Sequence, residues 1–147
     1  MSTWIPNTQA VVSLDNASAA LTDISNSVST VSVDMTASIG VFYTFGSPSA
    51  NKSEGKRDFK ASLGVRPSED AADAARILNA WATAASTMGA RTLRVDTPDA
   101  SSGSLRIQAE AYLSAWQLMN QDASGDGTPS TQTASLELDT LPTYSIL

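Results

Sequence analysis

Two long stretches of alternating polar and apolar residues constrain the fold of this chain more than any other feature. The first spans Ser104 to Leu118, the second spans Ser130 to Thr140, and the segment between them is rich in Asn, Asp, Gly and Pro. This pattern predicts a long β-hairpin. At ~3.3 Å per residue its first strand would reach roughly 50 Å, whereas a compact chain of this length has a radius of gyration near ~15 Å. Such a strand must bend around a barrel or extend to a neighbouring subunit.

The rest of the chain predicts further strands and one helix. The strands expected from their alternation are Gln9–Leu14, Ser29–Met35, Ile39–Phe45, Asp58–Val65 and Arg91–Asp96. The polar run from Gly46 to Lys56 is expected to be a solvated loop. A helix is predicted from Pro67–Ser68 to Gly89, because Pro suits a first helical turn and Gly a C-terminal end.

The predicted helix carries an apolar stripe that includes Ile77, Leu78 and Trp81, which we expect to pack on a sheet as core. No internal repeat or domain boundary is visible. The sequence therefore predicts a mainly β protein with one flanking α-helix, in a single domain over residues 1–147.

The composition excludes most catalytic and metal-binding classes. The 147 residues include no Cys and no His, which removes thiolate metal ligands, disulfides and the commonest general base. The formal charge of −6 opposes tight binding to nucleic acid phosphates, although it permits DNA to pass without adhering. The start of the chain lacks a signal-peptide pattern, and no window holds ~20 apolar residues, so we expect no export and no membrane span.

Two motif-like stretches in the polar loop are better explained by chance. The segment from Gly46 to Ser53 resembles a phosphate-binding loop, but Asn51 replaces its second glycine and no helix follows. Ser49–Lys52 and Ser53–Lys56 have the Ser-x-x-Lys spacing of some acyl-enzymes. That chemistry requires the Ser at a helix start with the Lys desolvated beside it, and a polar loop provides neither.

The carboxylates also fail to form a recognisable reaction centre. Asp122, Ser124 and Asp126 resemble the start of a calcium loop, but Thr133 stands where the bidentate Glu belongs, so whether this turn binds calcium stays open. The acidic residues of the predicted helix start and of the strands are not placed in facing pairs across a cleft. We therefore expect no enzyme activity, no catalytic residue, no cofactor and no metal site.

The order of these elements resembles a known family. The opening VVSLDNASAALTDISNSVSTVSV, the long loop before Phe59, the helix ending near TMGARTLRV, and the closing LRIQAEAYLSAWQ and TASLELDT look like the tail tube proteins, or major tail proteins, of long-tailed bacteriophages. The resemblance covers roughly Val11 to Leu141. It implies a β-sandwich or small barrel of the tail tube type, flanked by a helix, whose subunits form hexameric rings that stack into a tube.

The resemblance also implies a location and partners. It implies a virion protein made in the host cytoplasm, whose partners are further copies of itself and tail proteins such as the terminator, tape measure and distal tail proteins, with DNA passing through the tube without specific binding. The alternatives are a tube subunit of a contractile injection system and a glycan- or ligand-binding β-sandwich. A sugar-binding site would require clustered exposed aromatics, whereas Trp4, Trp81 and Trp116 are dispersed along the sequence.

Two sets of residues are candidates for such a role. The predicted loop should contact a neighbouring subunit through Ser47, Ser49, Asn51, Lys52, Glu54, Lys56 and Arg57. The polar faces of the strands should carry the negative lining of a channel, or else an ordinary outer surface, through Asp34, Glu110, Glu137 and Asp139. Arg106 interrupts that polar face.

Overall fold

The fold is described by a computed structural model over residues 10–16, 18–68, 73–84, 89–97, 105–121, 123, 125, 127, 130–139 and 141–146. In these residues the chain forms β1 (Val11–Asp15), β2 (Leu21–Asp23), β3 (Val28–Phe42), β4 (Asn51–Val65), α1 (Ala74–Ala82), β5 (Arg91–Asp96), β6 (Leu105–Trp116), β7 (Gln132–Leu138) and β8 (Thr143–Ile146). The fold is therefore mainly β with a short flanking helix, as the sequence predicts.

The strands form one antiparallel sheet in the order β2-β1-β5-β6-β7-β4-β3. Strand β6 has two different neighbours along the same edge, because its first residues pair with β8 and its residues from Ala111 to Trp116 pair with β7. The pairing of β6 with β7 shifts register between Leu113 and Ala115, and such irregularities bend a strand. The prediction that this long strand must bend is consistent with that shift.

One face of the sheet forms the core. Alternate residues of five strands, among them Leu14, Leu63, Leu93, Leu113 and Leu136, are buried in a single cluster with α1. Residues of distant strands can share one cluster because the sheet curls around it. The helix inserts Ile77, Leu78 and Trp81 into the same cluster, which confirms the predicted apolar stripe of the helix.

The helix is shorter at both ends than the sequence predicts. It begins at Ala74 because the carboxylate of Asp73 accepts hydrogen bonds from the backbone N–H groups of Ala75 and Arg76, which makes Asp73 the N-cap. Pro67 and Ser68 lie outside the helix, and Glu69 and Asp70, which follow them in the predicted first turn, lie outside the described residues.

At its other end the helix stops at Ala82, with Thr83 as C-cap. The hydroxyl and backbone N–H of Thr83 both donate to the carbonyl of Asn79, at 2.7 and 3.0 Å. Gly89 has the left-handed φ of +64° that suits a helix end, but it follows the end of the helix instead of forming it. Its carbonyl accepts a hydrogen bond from the indole of Trp81 at 3.3 Å.

The largest error of the sequence prediction concerns β3 and β4. The predicted strands Ser29–Met35 and Ile39–Phe45 are one continuous strand, and the predicted loop from Gly46 to Lys56 is shorter because β4 begins at Asn51. The first residues of β4, from Asn51 to Asp58, are almost all exposed on both faces, so no burial pattern marks them as a strand. The short strands β2 and β8 were also not predicted.

Candidate functional site

A two-stranded hairpin projects beyond the rest of the sheet. Strand β4 pairs with β7 only from Lys60 to Val65, whereas its pairing with β3 continues to Asn51 opposite Phe42. We call residues 37–57 the arm. Its base is the pair Ala37 and Arg57, and the whole arm lies beyond Lys60, the last residue of β4 that pairs with β7. The arm is held to the domain through its own two strands, and such a ribbon has little independent stability in water.

The outer part of the arm exposes large apolar side chains. Tyr43 is 79% exposed and Phe45 is fully exposed in the turn, and the side chains of Ile39, Val41 and Phe42 on the preceding strand are each at least half exposed. Soluble monomers rarely display a contiguous apolar surface of this kind, which usually marks a contact with another macromolecule. The arm is therefore the strongest candidate for an interaction site.

A β-bulge sets the geometry of the arm near its root. Between the pairs Ala37–Arg57 and Ile39–Glu54 the chain advances two residues on β3 but three on β4, and such a bulge bends and twists a hairpin. Gly55 lies inside the bulge. A Cβ atom at this position would lie 2.8 Å from the backbone oxygen of Ser38, so only glycine allows this approach of the two strands.

The seven residues predicted to contact a neighbour all lie on the arm, but most are not in a loop. Ser47 and Ser49 lie in the turn. The other five, which were predicted as loop, belong to strand β4: Asn51, Lys52, Glu54, Lys56 and Arg57. Arg57 and Glu54 form an exposed ion pair at 2.9 Å, which contributes little to stability because solvent screens it.

The four predicted lining carboxylates lie on the same face of the sheet, opposite the core. Asp34, Lys60 and Glu137 are direct neighbours on β3, β4 and β7. Asp139 follows β7, and its backbone N–H donates to the carbonyl of Glu110 at 2.8 Å. The side chain of Glu110 accepts a hydrogen bond from the hydroxyl of Thr92. The alternation of the strands was sufficient to predict this common face.

Two cations interrupt this polar face: Arg106, as the sequence predicts, and Lys60, which the predicted lining did not include. The ammonium of Lys60 lies 3.4 Å from Glu137 and 3.7 Å from Asp58. Arg106 makes two hydrogen bonds to Asp96, at 2.7 and 3.1 Å, and this hydrogen bonding raises the pKa of Arg106 above its ordinary value. The face is thus of mixed sign. Lys60 could have been found from the sequence, because it alternates with the buried residues of its strand.

Neither a metal-binding cluster nor a membrane-spanning helix occurs in the described residues. They contain no group of three or more Asp, Glu, His or Cys side chains that could hold a metal ion. The calcium-like residues Asp122, Ser124 and Asp126 lie outside the described part of the chain. No helix within that part is long and apolar enough to span a bilayer.

Comparison with known proteins identifies the fold. No family model and no curated protein sequence matches the chain. Solved structures do match over almost the whole length. A chain of the tube-terminating cap of the anti-feeding prophage has a TM-score of 0.75 at 13% identity, covering 100% of this chain and 94% of that one.

Two further structures extend the comparison. A chain of the sheath-tube complex of an extracellular contractile injection system in its extended state has a TM-score of 0.72 at 14% identity, covering 97% of this chain and 92% of that one. A chain of the sixfold-symmetric tail of an empty gene transfer agent particle has a TM-score of 0.66 at 10% identity, covering 95% and 98%.

This chain has a tail tube-type fold. The similar structures come from the caps, tubes and tails of phage-like particles, and they do not single out the major tail proteins of long-tailed phages. Each of them is named as a structural assembly rather than an enzyme. At these identities the likeness establishes the fold of this chain.

Proposed function

We propose that this protein is a structural subunit that assembles with further copies of itself into rings stacked as a tail tube. The projecting arm carries the proposal, because it places exposed apolar side chains on a ribbon outside the folded domain. Covering a surface of this kind with another macromolecule is favourable, because it removes the apolar side chains from water. The tail tube-type fold favours a second copy as that macromolecule, and the sixfold tail of the gene transfer agent favours rings of six.

Within such a tube, the arm would supply the contacts between subunits. The residues proposed for this role are Ser47, Ser49, Asn51, Lys52, Glu54, Lys56 and Arg57. Lys52 and Lys56 lie more than 4 Å from every carboxylate in the described residues. Their charges are therefore available to carboxylates of a neighbouring subunit.

The polar face of the sheet is proposed to line the channel. Asp34, Glu110, Glu137 and Asp139 lie on that face, and one face of a curled sheet must be in contact with solvent if the other is core. Duplex DNA carries one negative charge per ~1.7 Å, so a predominantly acidic lining would keep DNA from adhering while it moves. The cations Lys60 and Arg106 would weaken this repulsion without reversing it, because each is paired with a carboxylate.

A tube or tube-cap subunit of a contractile injection system is the second candidate. The specific observation in its favour is that the matches to such a system have TM-scores of 0.72 and 0.74, above the 0.66 of the gene transfer agent tail. In either case the proposed partners are further copies of the chain and other tail proteins such as a terminator, a tape measure protein and a distal tail protein.

Electron microscopy of the purified protein tests the proposal. Negatively stained samples should show rings or tubes at high protein concentration. The matched control replaces residues 38–56 with Asn-Gly, so that the paired residues Ala37 and Arg57 are joined by a two-residue hairpin turn. This variant should remain a folded monomer. A wild-type protein that stays monomeric at all concentrations, or a control that forms normal tubes, would contradict the proposal.

A further inference from the structure

An apolar groove lies at the root of the arm, on the core side of the sheet. Its volume is about 210 Å³, and its lining includes Met35, Phe59, Ile107, Leu141 and Tyr144. Strand β7 ends at Leu138, and the chain then crosses to β8, which pairs with the first residues of β6. The groove lies where this crossing segment and β8 stand beside the base of the arm.

The walls of the groove are exposed apolar side chains. Leu141 is 69% exposed and Tyr144 is 60% exposed, and Met35 on the opposite wall is 55% exposed. The groove is therefore a second apolar surface, separate from the tip of the arm.

We propose that the groove receives the aromatic tip of the arm of a second copy, with Phe45 as the inserted side chain and Tyr43 beside it. This inference rests on the proposed tube and specifies its contact. The sizes agree, since a protein cavity of ~150 Å³ is known to hold benzene, and the groove volume of about 210 Å³ can hold the ring of a phenylalanine.

The length of the arm excludes a contact within one chain. Met35 lies at the groove and Phe42 at the last pair of the hairpin. At ~3.3 Å per residue these two positions are separated by roughly 23 Å of paired strand. The tip therefore cannot reach its own groove, and a tip that enters the groove must come from another copy.

The arm and the rest of the chain have opposite net charges, and Asp34 adds a carboxylate to the lining of the groove. The arm carries the cations Lys52, Lys56 and Arg57 and a single carboxylate, Glu54, whereas the chain as a whole has a net charge of −6. The arm is thus positive and the remainder of the chain is more negative than the total. An arm that reaches the body of a second copy is attracted to it, and this attraction weakens as salt increases.

A tip-to-groove contact joins two different surfaces, so it is heterologous and repeats from one copy to the next. Each copy offers one tip and one groove. Because the tip of one copy enters the groove of the next, the bodies of the two copies are separated by about the length of the arm. The contact can therefore connect subunits of successive rings.

Disulfide cross-linking tests the contact, because the chain contains no cysteine. Gly46→Cys and Tyr144→Cys proteins are prepared separately, mixed and oxidised mildly, so that the tip keeps Phe45 and Tyr43. A docked tip holds the two thiols at a high effective concentration, so the mixed disulfide should form roughly tenfold faster than random collision gives. The control mixes Gly46→Cys with Ser32→Cys. Ser32 is exposed and adjacent to the groove residue Val33, but it lies on the opposite face of the strand.

The outcomes separate this inference from the proposed function. Selective cross-linking of Gly46→Cys to Tyr144→Cys supports the contact. Equal cross-linking to Tyr144→Cys and Ser32→Cys overturns it, even if the wild-type protein forms tubes. Selective cross-linking in a protein that never forms rings or tubes would leave the contact standing and contradict the tube. A Cβ atom at position 46 meets no atom within 4 Å, so Gly46→Cys does not disturb the folding of the subunit.

Discussion

The ammonium of Lys60 lies 3.4 Å from a carboxylate oxygen of Glu137, and the two residues are directly paired on neighbouring strands. The side chains are 56% and 41% exposed, so solvent screens the pair and its contribution to stability is small. Its main effect is on the charge of the polar face. The pair neutralises one of the carboxylates proposed to line the channel, and Lys60 and Glu137 therefore control that charge in opposite directions.

We expect charge reversal on this face to make assembled tubes retain DNA. The double variant Glu137→Lys, Asp139→Lys removes two negative charges and adds two positive ones beside Lys60. Tubes of the variant should bind short duplex DNA at low salt and release it as salt rises, because binding to phosphates depends on counterion release. Co-sedimentation of labelled DNA with the tubes measures this. In particles that eject a genome, the same variant should slow ejection.

Lys60→Gln is the opposite control for this prediction. It removes a cation from the same face, so its tubes should retain no more DNA than wild-type tubes. If the double variant assembles correctly and retains no DNA at low salt, the polar face does not line the channel. A map that places Glu137 and Asp139 on the outside of the tube would lead to the same conclusion.

Trp81→Ala should strongly destabilise the domain. The side chain of Trp81 is completely buried in the core cluster, and truncation of a buried Trp leaves a large cavity and costs about 3–5 kcal/mol. The midpoint of chemical or thermal unfolding measures the change. Arg91 lies with its guanidinium carbon 5.0 Å from the ring centroid, and Arg91→Lys, which retains the positive charge, should have a much smaller effect. An unfolding midpoint of Trp81→Ala equal to that of the wild type would mean that the side chain of Trp81 is not part of the hydrophobic core.

Sequence periodicity predicted the elements that have one buried face. Strand β5 has the predicted bounds Arg91–Asp96, and β6, β7 and the second half of β4 were recognised from strict alternation. Burial on one face imposes this alternation, so it is readable in a single sequence. The same alternation placed Asp34, Glu110, Glu137 and Asp139 on a common face.

The second strand of the arm was not predicted, for a related reason. Its residues are solvated on both faces, so the run from Gly46 to Lys56 has the composition of a loop. The strands of the arm are held by pairing with each other and by the bulge at Gly55, which are relations between distant residues. The helix start was misplaced because several acidic residues precede it, and only the structure shows that Asp73 is the cap.

Asp73→Ala should destabilise the domain by about 0.5–2 kcal/mol, the usual range for loss of an N-cap. One carboxylate oxygen of Asp73 accepts from the N–H groups of Ala75 and Arg76, and the other accepts from the N–H and hydroxyl of Ser68 at 2.6 and 2.8 Å. Asp73→Asn retains one acceptor oxygen for the helix and should have a smaller effect. Chemical denaturation of both variants measures this order, and equal stability of Asp73→Ala and wild type would contradict the capping role.

Gly55→Ala should impair tube assembly without unfolding the domain. The added Cβ would lie 2.8 Å from the backbone oxygen of Ser38 and 3.0 Å from its Cβ, so the two strands must separate at the bulge and the arm must change direction. The core is not affected, because the arm lies outside the core cluster. Gly46→Ala is the matched control, since a Cβ there meets no atom within 4 Å, and its stability should change by less than about 1 kcal/mol. Unfolding curves should therefore be similar for both variants and wild type, while tubes counted by electron microscopy should be lost only for Gly55→Ala. Normal tubes from Gly55→Ala would show that the direction set by the bulge is not needed for assembly.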